Sequence, residues 1–386
     1  MTDSSESDLA EAREVLLSGD LVCQVEQDLA DIGIEGEDDL RLTMFLVGTS
    51  RLLRKPLHAI VQGDSSTGKT FVVEQVARLF PPEALIVATH VSPKALYRMD
   101  SISHRWLVLG ERARSDGPEQ EDATKALREL QSSGRITSRI VEEGKLVSRL
   151  VEGPVATSES TTSEHIFDED RNRCLLLSTD ESPAQTRRIL AAAAKRASGS
   201  TETNDARIVT RHHAMQRVLA EGTPHAVLVP FAERLAERIP DDRAEARRAF
   251  GLLLSVIQAS AVLHRLQRDS RDGAILATLG DYAIARRLVG STISTSTSGA
   301  PSEPVQRFAE TLLVLVRLDE HFHAPDIAER IGRPRQRVNE LLRELRRFGM
   351  IDMIEDARGP NPARWQLRHP RLPAAAPVLP DPSDIA

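Results

Sequence analysis

The octapeptide GDSSTGKT, residues 63–70, sets two glycines, a lysine and a hydroxyl side chain at the spacing that holds a nucleoside triphosphate. Gly63 and Gly68 let the chain bend so that the backbone N–H groups along Asp64, Ser65, Ser66 and Thr67 face phosphate oxygens. Lys69 is placed to reach the β- and γ-phosphates, and the Thr70 hydroxyl to bind Mg²⁺. The apolar residues Leu57, Ala59, Ile60 and Val61 precede the loop, and FVVEQVARLF follows it with apolar residues at helical spacing. A strand and a helix therefore bracket the loop, and the helix N-terminus adds its partial positive charge. A chance Gly/Ser-rich turn would lack that bracket.

Hydrolysis needs a base or water-orienting group opposite the γ-phosphate, at the end of a neighbouring strand. In HRWLVLGERARS, Trp106 to Leu109 reads as a buried strand, and Glu111 follows its end. The preceding position, where many such enzymes carry an acid that helps hold Mg²⁺, is Gly110, a departure that bears on metal affinity or turnover. A solvated loop carboxylate is the plainer alternative for Glu111. Next, EDATKALRELQSSG reads as a helix, and RITSRIVEEGKLVSRLVEG as a hairpin turning at Glu142 to Lys145. Arg139, Lys145 and Arg149 on it could touch a phosphate backbone, or be the solvated face that such hairpins present. The following strand, GPVAT, is expected to end at Thr157 and Ser158, where a hydroxyl could sense the γ-phosphate. Arg171 and Arg173 precede an apolar strand, Cys174 to Leu177. An arginine inserted from a neighbouring subunit speeds phosphoryl transfer by about 10³–10⁵; surface ion pairs are the ordinary alternative.

The elements that must position these residues follow from pattern. A chain of 386 residues predicts two or three domains. Helices are expected over residues 1–56, with the first eight loose, and an α/β core with a mostly parallel sheet over 57–196. ASGSTETND is a polar break; 206–290 reads as helical throughout, a lid. STISTSTSGAPSEP, 291–304, reads as a flexible linker, 305–370 as a compact domain, and 371–386 as a loose tail. The net charge of −7 excludes a uniformly basic nucleic-acid coat, so DNA contact would come from local patches. Cys23 and Cys174 lie far apart, which supports neither a disulfide framework nor a zinc site and predicts two small buried apolar side chains. No apolar run is long enough to read as a membrane span, and MTDSSESD is not a signal peptide, so a cytoplasmic protein is expected.

The compact C-terminal segment carries HAPDIAERIGRPRQRVNELLRELRRF, which fits a helix-turn-helix. One helix spans Pro325 to Ile331, the chain turns at Gly332, and Pro334 opens a second helix. Arg335 and Arg337 lie in its first turn, with Arg343, Arg346 and Arg347 further along. Two strands with a tip bearing Arg358 and Arg364 would complete a winged helix. Asp352, Glu355 and Asp356 in the wing weigh against DNA and toward a protein ligand.

The order of phosphate loop, Glu-ended strand, helix and hairpin insert, polar strand and Arg before a further strand resembles an AAA+ ATPase, and the hairpin is similar to that of MCM-like helicases. PPEALIVATHVSPKALYRM, KALRELQSSGRI, DRNRCLLLSTDESPAQT and ILATLGDYAIARRLV resemble the ATPase part of bacterial and phage proteins that carry a CHC-type zinc-finger primase, over roughly residues 10–290. The resemblance implies a fold with an AAA+ core, an all-helical lid and a C-terminal winged helix. It implies an ATP- and Mg²⁺-dependent homo-oligomeric ring, a hexamer, that encircles or unwinds single-stranded or forked DNA in replication of a phage or mobile element. Lys69 and Thr70 would bind nucleotide and metal, Glu111 would activate water, and Thr157 or Ser158 would be a first sensor. Arg173, then Arg171, would be the finger, and Arg248 or Arg247 a second sensor in the lid. No zinc-finger or primase segment is present, so a partner primase would be a separate chain. A DNA-docked ATPase that remodels a protein partner without unwinding is the competing expectation; a small-molecule kinase leaves the C-terminal module and the arginines without a role.

Overall fold

The computed structural model describes residues 5–89, 96, 97, 99, 102–111, 118–142, 145–162, 170, 173–199, 205–239, 245–298, 303–357, 361–370, 372 and 379–385. The chain opens with α1 (Glu6–Leu17), α2 (Leu21–Asp31) and α3 (Asp38–Thr49). Ser5 caps α1 by accepting from the Asp8 N–H, while Asp8 accepts from the Ser5 N–H, which satisfies two otherwise orphaned donors. From Leu40 to Thr49, α3 is buried on every side, as a helix enclosed by a core must be. Its Gly48 lies against two rings: a Cβ there would come within 2.5 Å of Phe80 and 2.6 Å of Trp106, so only glycine permits the approach.

The central layer follows: β1 (His58–Gln62), α4 (Lys69–Ala77), β2 (Leu85–Ala88), β3 (Arg105–Glu111) and α5 (Pro118–Ser133). A separate antiparallel hairpin, β4 (Arg135–Glu142) and β5 (Lys145–Glu152), is inserted before β6 (Val155–Thr161), β7 (Leu175–Ser178) and α6 (Pro183–Ala197). The five sheet strands are parallel in the order β2-β3-β6-β1-β7. Strand β1 is buried from His58 to Val61, as an interior strand of a parallel sheet requires. Its neighbour β6, VATSEST, is buried along its length yet mostly polar, so its side chains need partners inside the protein. Thr157 meets His58 Nδ1 at 3.1 Å and accepts from Gln131 at 3.0 Å, and Ser158 accepts from Trp106 Nε1 at 3.1 Å.

The chain continues through α7 (Asp205–Ala220), β8 (Val227–Leu228), α8 (Ala232–Ala236), α9 (Ala246–Leu263), β9 (Ser270–Arg271), β10 (Ala274–Leu276) and α10 (Leu279–Ser298). Several of the sequence expectations are corrected here. The stretch 206–290 is not helical throughout, because β8, β10 and β9 form a small sheet. Most of it joins the N-terminal residues in one compact unit, comprising 1–237, 248–289 and 381–386. The expected linker is helical as far as Ser298, with Ile293 buried, because a helix already begun extends through the weak helix formers Ser and Thr at small cost per residue. The tail is not loose at its end, since residues Pro382–Asp384 form a helical turn capped by Asp381, Asp381 pairs with Arg286 at 3.3 Å, and Ile385 is 1% exposed.

Cys174 is buried, whereas Cys23 is exposed on α2, contrary to expectation. Among the described residues, α9 is long and apolar enough to cross a membrane. Its Leu253, Val256, Ile257, Ala259, Ala261 and Val262 are fully buried, as in the core helix of a globular unit. Between α2 and α7, Asp28 accepts from Arg211 at 2.6 Å and bonds the buried His212 ring at 2.8 Å. Burial opposes the Asp28 charge, but these two partners outweigh it and hold the carboxyl below its usual range.

Burial pushes His58 down to about 4, and His212, His225 and His264 are also lowered chiefly by burial. Once the pH falls below the ordinary imidazole pKa, the unfolded chain takes up protons that these rings refuse in the fold. Their contribution to stability is therefore complete above that value and is lost as pH falls toward 4. The melting temperature is expected to drop across this window. His58→Gln should flatten its share of the slope, on the order of 3 kcal/mol at the acid end; an unchanged pH dependence would remove His58 from the account.

The second unit comprises 238–247 and 290–380. It contains α11 (Glu303–Leu315), β11 (His321–His323), α12 (Ala324–Ile331), α13 (Arg335–Arg347), β12 (Ile351–Glu355) and β13 (Arg364–Leu367). The strands form an antiparallel sheet in the order β11-β13-β12. Phe308, Leu312, Val338, Leu342 and Trp365 share its core. Helix α12 ends at Gly332, whose φ of 65° is the left-handed conformation that closes many helices.

Candidate functional site

The site lies at the carboxyl end of the parallel sheet, where ligands of open α/β sheets bind. Strand β1 runs out at Gln62, and residues 63–68 turn back into α4. Ser66 and Gly68 adopt φ of 70° and 88°, which curls the backbone around the loop's hollow. Lys69 is the first residue of α4 and only 5% exposed; its Nζ donates to the Gly63 oxygen at 2.8 Å and the Asp64 oxygen at 2.6 Å. The first N–H groups of α4 have no partner within the helix, so an anion is favoured there. Thr70 stands exposed in the same turn, next to Lys69.

A segment after β7 holds the loop from behind. Thr179 donates to the Thr67 hydroxyl at 3.0 Å, Thr67 donates to the Asp64 oxygen at 2.9 Å, and the Asp64 N–H donates to Glu181 at 3.0 Å. Gly63 is required at this contact: a Cβ would come within 2.5 Å of the Thr179 hydroxyl and 2.8 Å of the Thr67 hydroxyl.

Glu111 is the last residue of β3, where the register with β6 shifts between Val108 and Glu111. Its carboxylate accepts from the Thr162 hydroxyl at 2.5 Å. The missing acid at Gly110 has a steric cause, because a Cβ at that position would lie 2.5 Å from the Thr89 carbonyl oxygen.

The expected sensor position needs correction. The parallel register pairs His58 with Thr157 and Ala59 with Ser158, which puts both hydroxyls at the opposite end of β1 from the loop, committed to the partners already described. The residues level with the start of the loop are Ser160, opposite Val61, and Thr161, opposite Gln62. The Ser160 hydroxyl is buried without a hydrogen-bond partner, the kind of unspent polar atom that a ligand would satisfy. These residues fit a nucleoside triphosphate with Mg²⁺. Residues 63–68 and Lys69 would hold the phosphates, Thr70 would hold the metal, and Glu111 and Ser160 would face the terminal phosphate. The nucleotide, when bound, supplies the phosphoanhydride bond to be broken.

The remaining predicted residues are dispersed. Arg173 precedes β7 and donates to Ser132 at 2.7 Å at the end of α5; Arg171 lies outside the described residues. Arg247 and Arg248 are exposed on the first turn of α9. On the hairpin, Arg139 pairs in register with Ser148, Lys145 with Glu142 and Arg149 with Ser138. The side chains of Arg139 and Lys145 lie outside the described residues, and Arg149 is half-buried. Arg335 is exposed at the start of α13, and Arg337 pairs with Glu340 at 3.7 Å. Arg358 lies outside the described residues.

Sequence reasoning missed Ser160, Thr162, Thr179 and Glu181. The unbroken polar run TSESTT held the signal for the first two, because it shows that polar residues extend beyond Ser158 toward the strand's end. No local signal points to Thr179 or Glu181, whose partners are more than a hundred residues away.

A comparison with curated proteins finds no match. A comparison with protein families finds one that matches residues 6–221, more than half of the chain and the whole phosphate-loop sheet. That family is described as the MTBMA_p00010 P-loop domain, in keeping with a nucleotide-binding domain of the NTPase type. By loop, sheet and matched span, the chain belongs to the MTBMA_p00010 P-loop domain family.

Proposed function

We propose that the chain is a DNA-dependent ATPase of the AAA+ type. It would assemble as a homo-oligomeric ring, of hexameric form, and act as a helicase or translocase in replication of a phage or mobile element. The observation that carries this reading is the hairpin Arg135–Glu142 and Lys145–Glu152, inserted between the strand ending in Glu111 and the polar strand beside β1. The hairpin follows α5, which stands between it and β3, and leads directly into β6. Its movement would be coupled to phosphate release through β6, and Lys145, at the start of β5, would meet a DNA backbone. The order of helices and strands in 303–367 supports reading this segment as a winged helix, with α13 as the element that would enter a groove. Arg173, ahead of β7, is the residue proposed to reach a neighbouring subunit's nucleotide.

One observation favours the alternative, an ATPase that docks through this module and remodels a protein partner. Four of the module's arginines are met by local acids: Arg337 by Glu340, Arg347 by Glu344, Arg364 by Glu355 and Arg368 by Asp352. Such pairing weakens the field that a phosphate backbone needs.

The test is steady-state ATP hydrolysis with no DNA, single-stranded DNA and forked duplex, alongside strand displacement. Stimulation by DNA and unwinding of the fork are expected, both lost in Lys145→Ala with DNA-free hydrolysis retained. Hydrolysis indifferent to DNA, with no strand displaced, hands the reading to the remodelling alternative.

A further inference from the structure

We propose that Glu181 is a positioning residue of the phosphate loop, one that fixes the Gly63–Asp64 peptide and so sets nucleotide affinity. The inference rests on the nucleotide-site reading and deepens it. That peptide is gripped at both ends: Lys69 Nζ donates to its carbonyl oxygen at 2.8 Å, and its N–H donates to Glu181 Oε1 at 3.0 Å. Lys69 is also the group that would reach phosphate. An ammonium that turns to a ligand gives up the Gly63 and Asp64 carbonyls, and a peptide plane released at one end is free to rotate. The Glu181 carboxylate remains on the other end, and a charge-assisted bond of this kind is among the stronger ones available to a backbone N–H.

Two further contacts show that the segment behind the loop is built against it. A Cβ at Gly63 would lie 2.5 Å from the Thr179 hydroxyl and 3.4 Å from Glu181 Oε1, so residues 179–181 lie directly on the loop's first residue. Thr179 donates to Thr67 near the loop's other end. The segment is in turn fixed by the turn between α2 and α3: the Asp180 N–H donates to Glu37 at 2.8 Å, and Gln185 Nε2 donates to the Glu35 oxygen at 2.6 Å. A continuous set of bonds thus joins the residues ahead of α3 to the first peptide of the phosphate loop.

Glu181 has opposed effects on a polyanion. Its acceptor oxygen holds the loop in shape, while its negative charge repels phosphate. Substitution separates them, because glutamine keeps an acceptor oxygen without the charge, and alanine removes both. Binding of a fluorescent N-methylanthraniloyl ATP analogue with Mg²⁺ to the full chain reads the difference, with thermal melting measured on the same samples. Glu181→Ala is expected to weaken binding about tenfold, whereas Glu181→Gln binds at least as tightly as the wild type. Glu181→Asp, one methylene short of the N–H, should weaken binding like alanine and decides the matter if the alanine variant does not fold. Alanine or aspartate variants that fold and bind like the wild type overturn the proposal. So does equal weakening by glutamine and alanine in step with lost thermal stability, the mark of a merely structural role. A wild-type chain that fails to bind the analogue overturns the nucleotide-site reading itself, and the proposal with it.

Discussion

Replacing Lys69 by alanine is expected to lower ATP turnover by about 10²–10³ or more, the range seen when one preorganised donor to a developing negative charge is removed. The ammonium sits within the loop, on the Gly63 and Asp64 carbonyls. Steady-state hydrolysis and nucleotide titration measure the loss, and melting of the variant separates it from unfolding, because two loop carbonyls are left without their donor. Turnover retained in a folded Lys69→Ala chain would refute the assignment of residues 63–70 as the phosphate site.

Glu111→Gln should separate binding from chemistry. The amide oxygen can still accept from Thr162, so the end of β3 keeps its geometry, but an amide cannot take a proton from water. Turnover is expected to fall by about 10²–10⁴ while nucleotide affinity stays near the wild-type value. If hydrolysis persists at the wild-type rate, the base lies elsewhere. Thr162→Val then tests the supporting bond, since loss of the hydroxyl frees the carboxylate without removing it.

What was legible in the sequence follows a physical division. The phosphate loop was readable because its chemistry is contiguous: eight neighbouring residues carry the bends, the charge and the hydroxyl. The place of Glu111 at the end of β3 was readable because an apolar strand ends visibly beside it, and the hairpin because alternation marks both arms. Thr157 and Ser158 were misplaced because β6 is polar while buried, so no change in hydropathy marks its end. The position of a hydroxyl relative to the loop is a matter of register between strands distant in sequence. Composition misled at 291–298 and at the tail, where α10 runs on through serines and threonines past the buried Ile293 and a single isoleucine anchors the last residues. Thr179 and Glu181 belong to a third kind, residues that matter through tertiary contact alone. The loop they hold is complete as a motif without them.

Gly110 has a consequence for how this chain can change over generations. Glycine and aspartate codons differ by one base, so mutation offers the second carboxylate often. Here it must be refused, because the Thr89 carbonyl occupies the space where the new side chain would begin. A second acid can enter only after the end of β2 has moved, and an altered Thr89 backbone brings no gain until the acid arrives. A single-base change to aspartate at Gly110 is therefore expected to need a second change that moves the end of β2 before the fold accepts it.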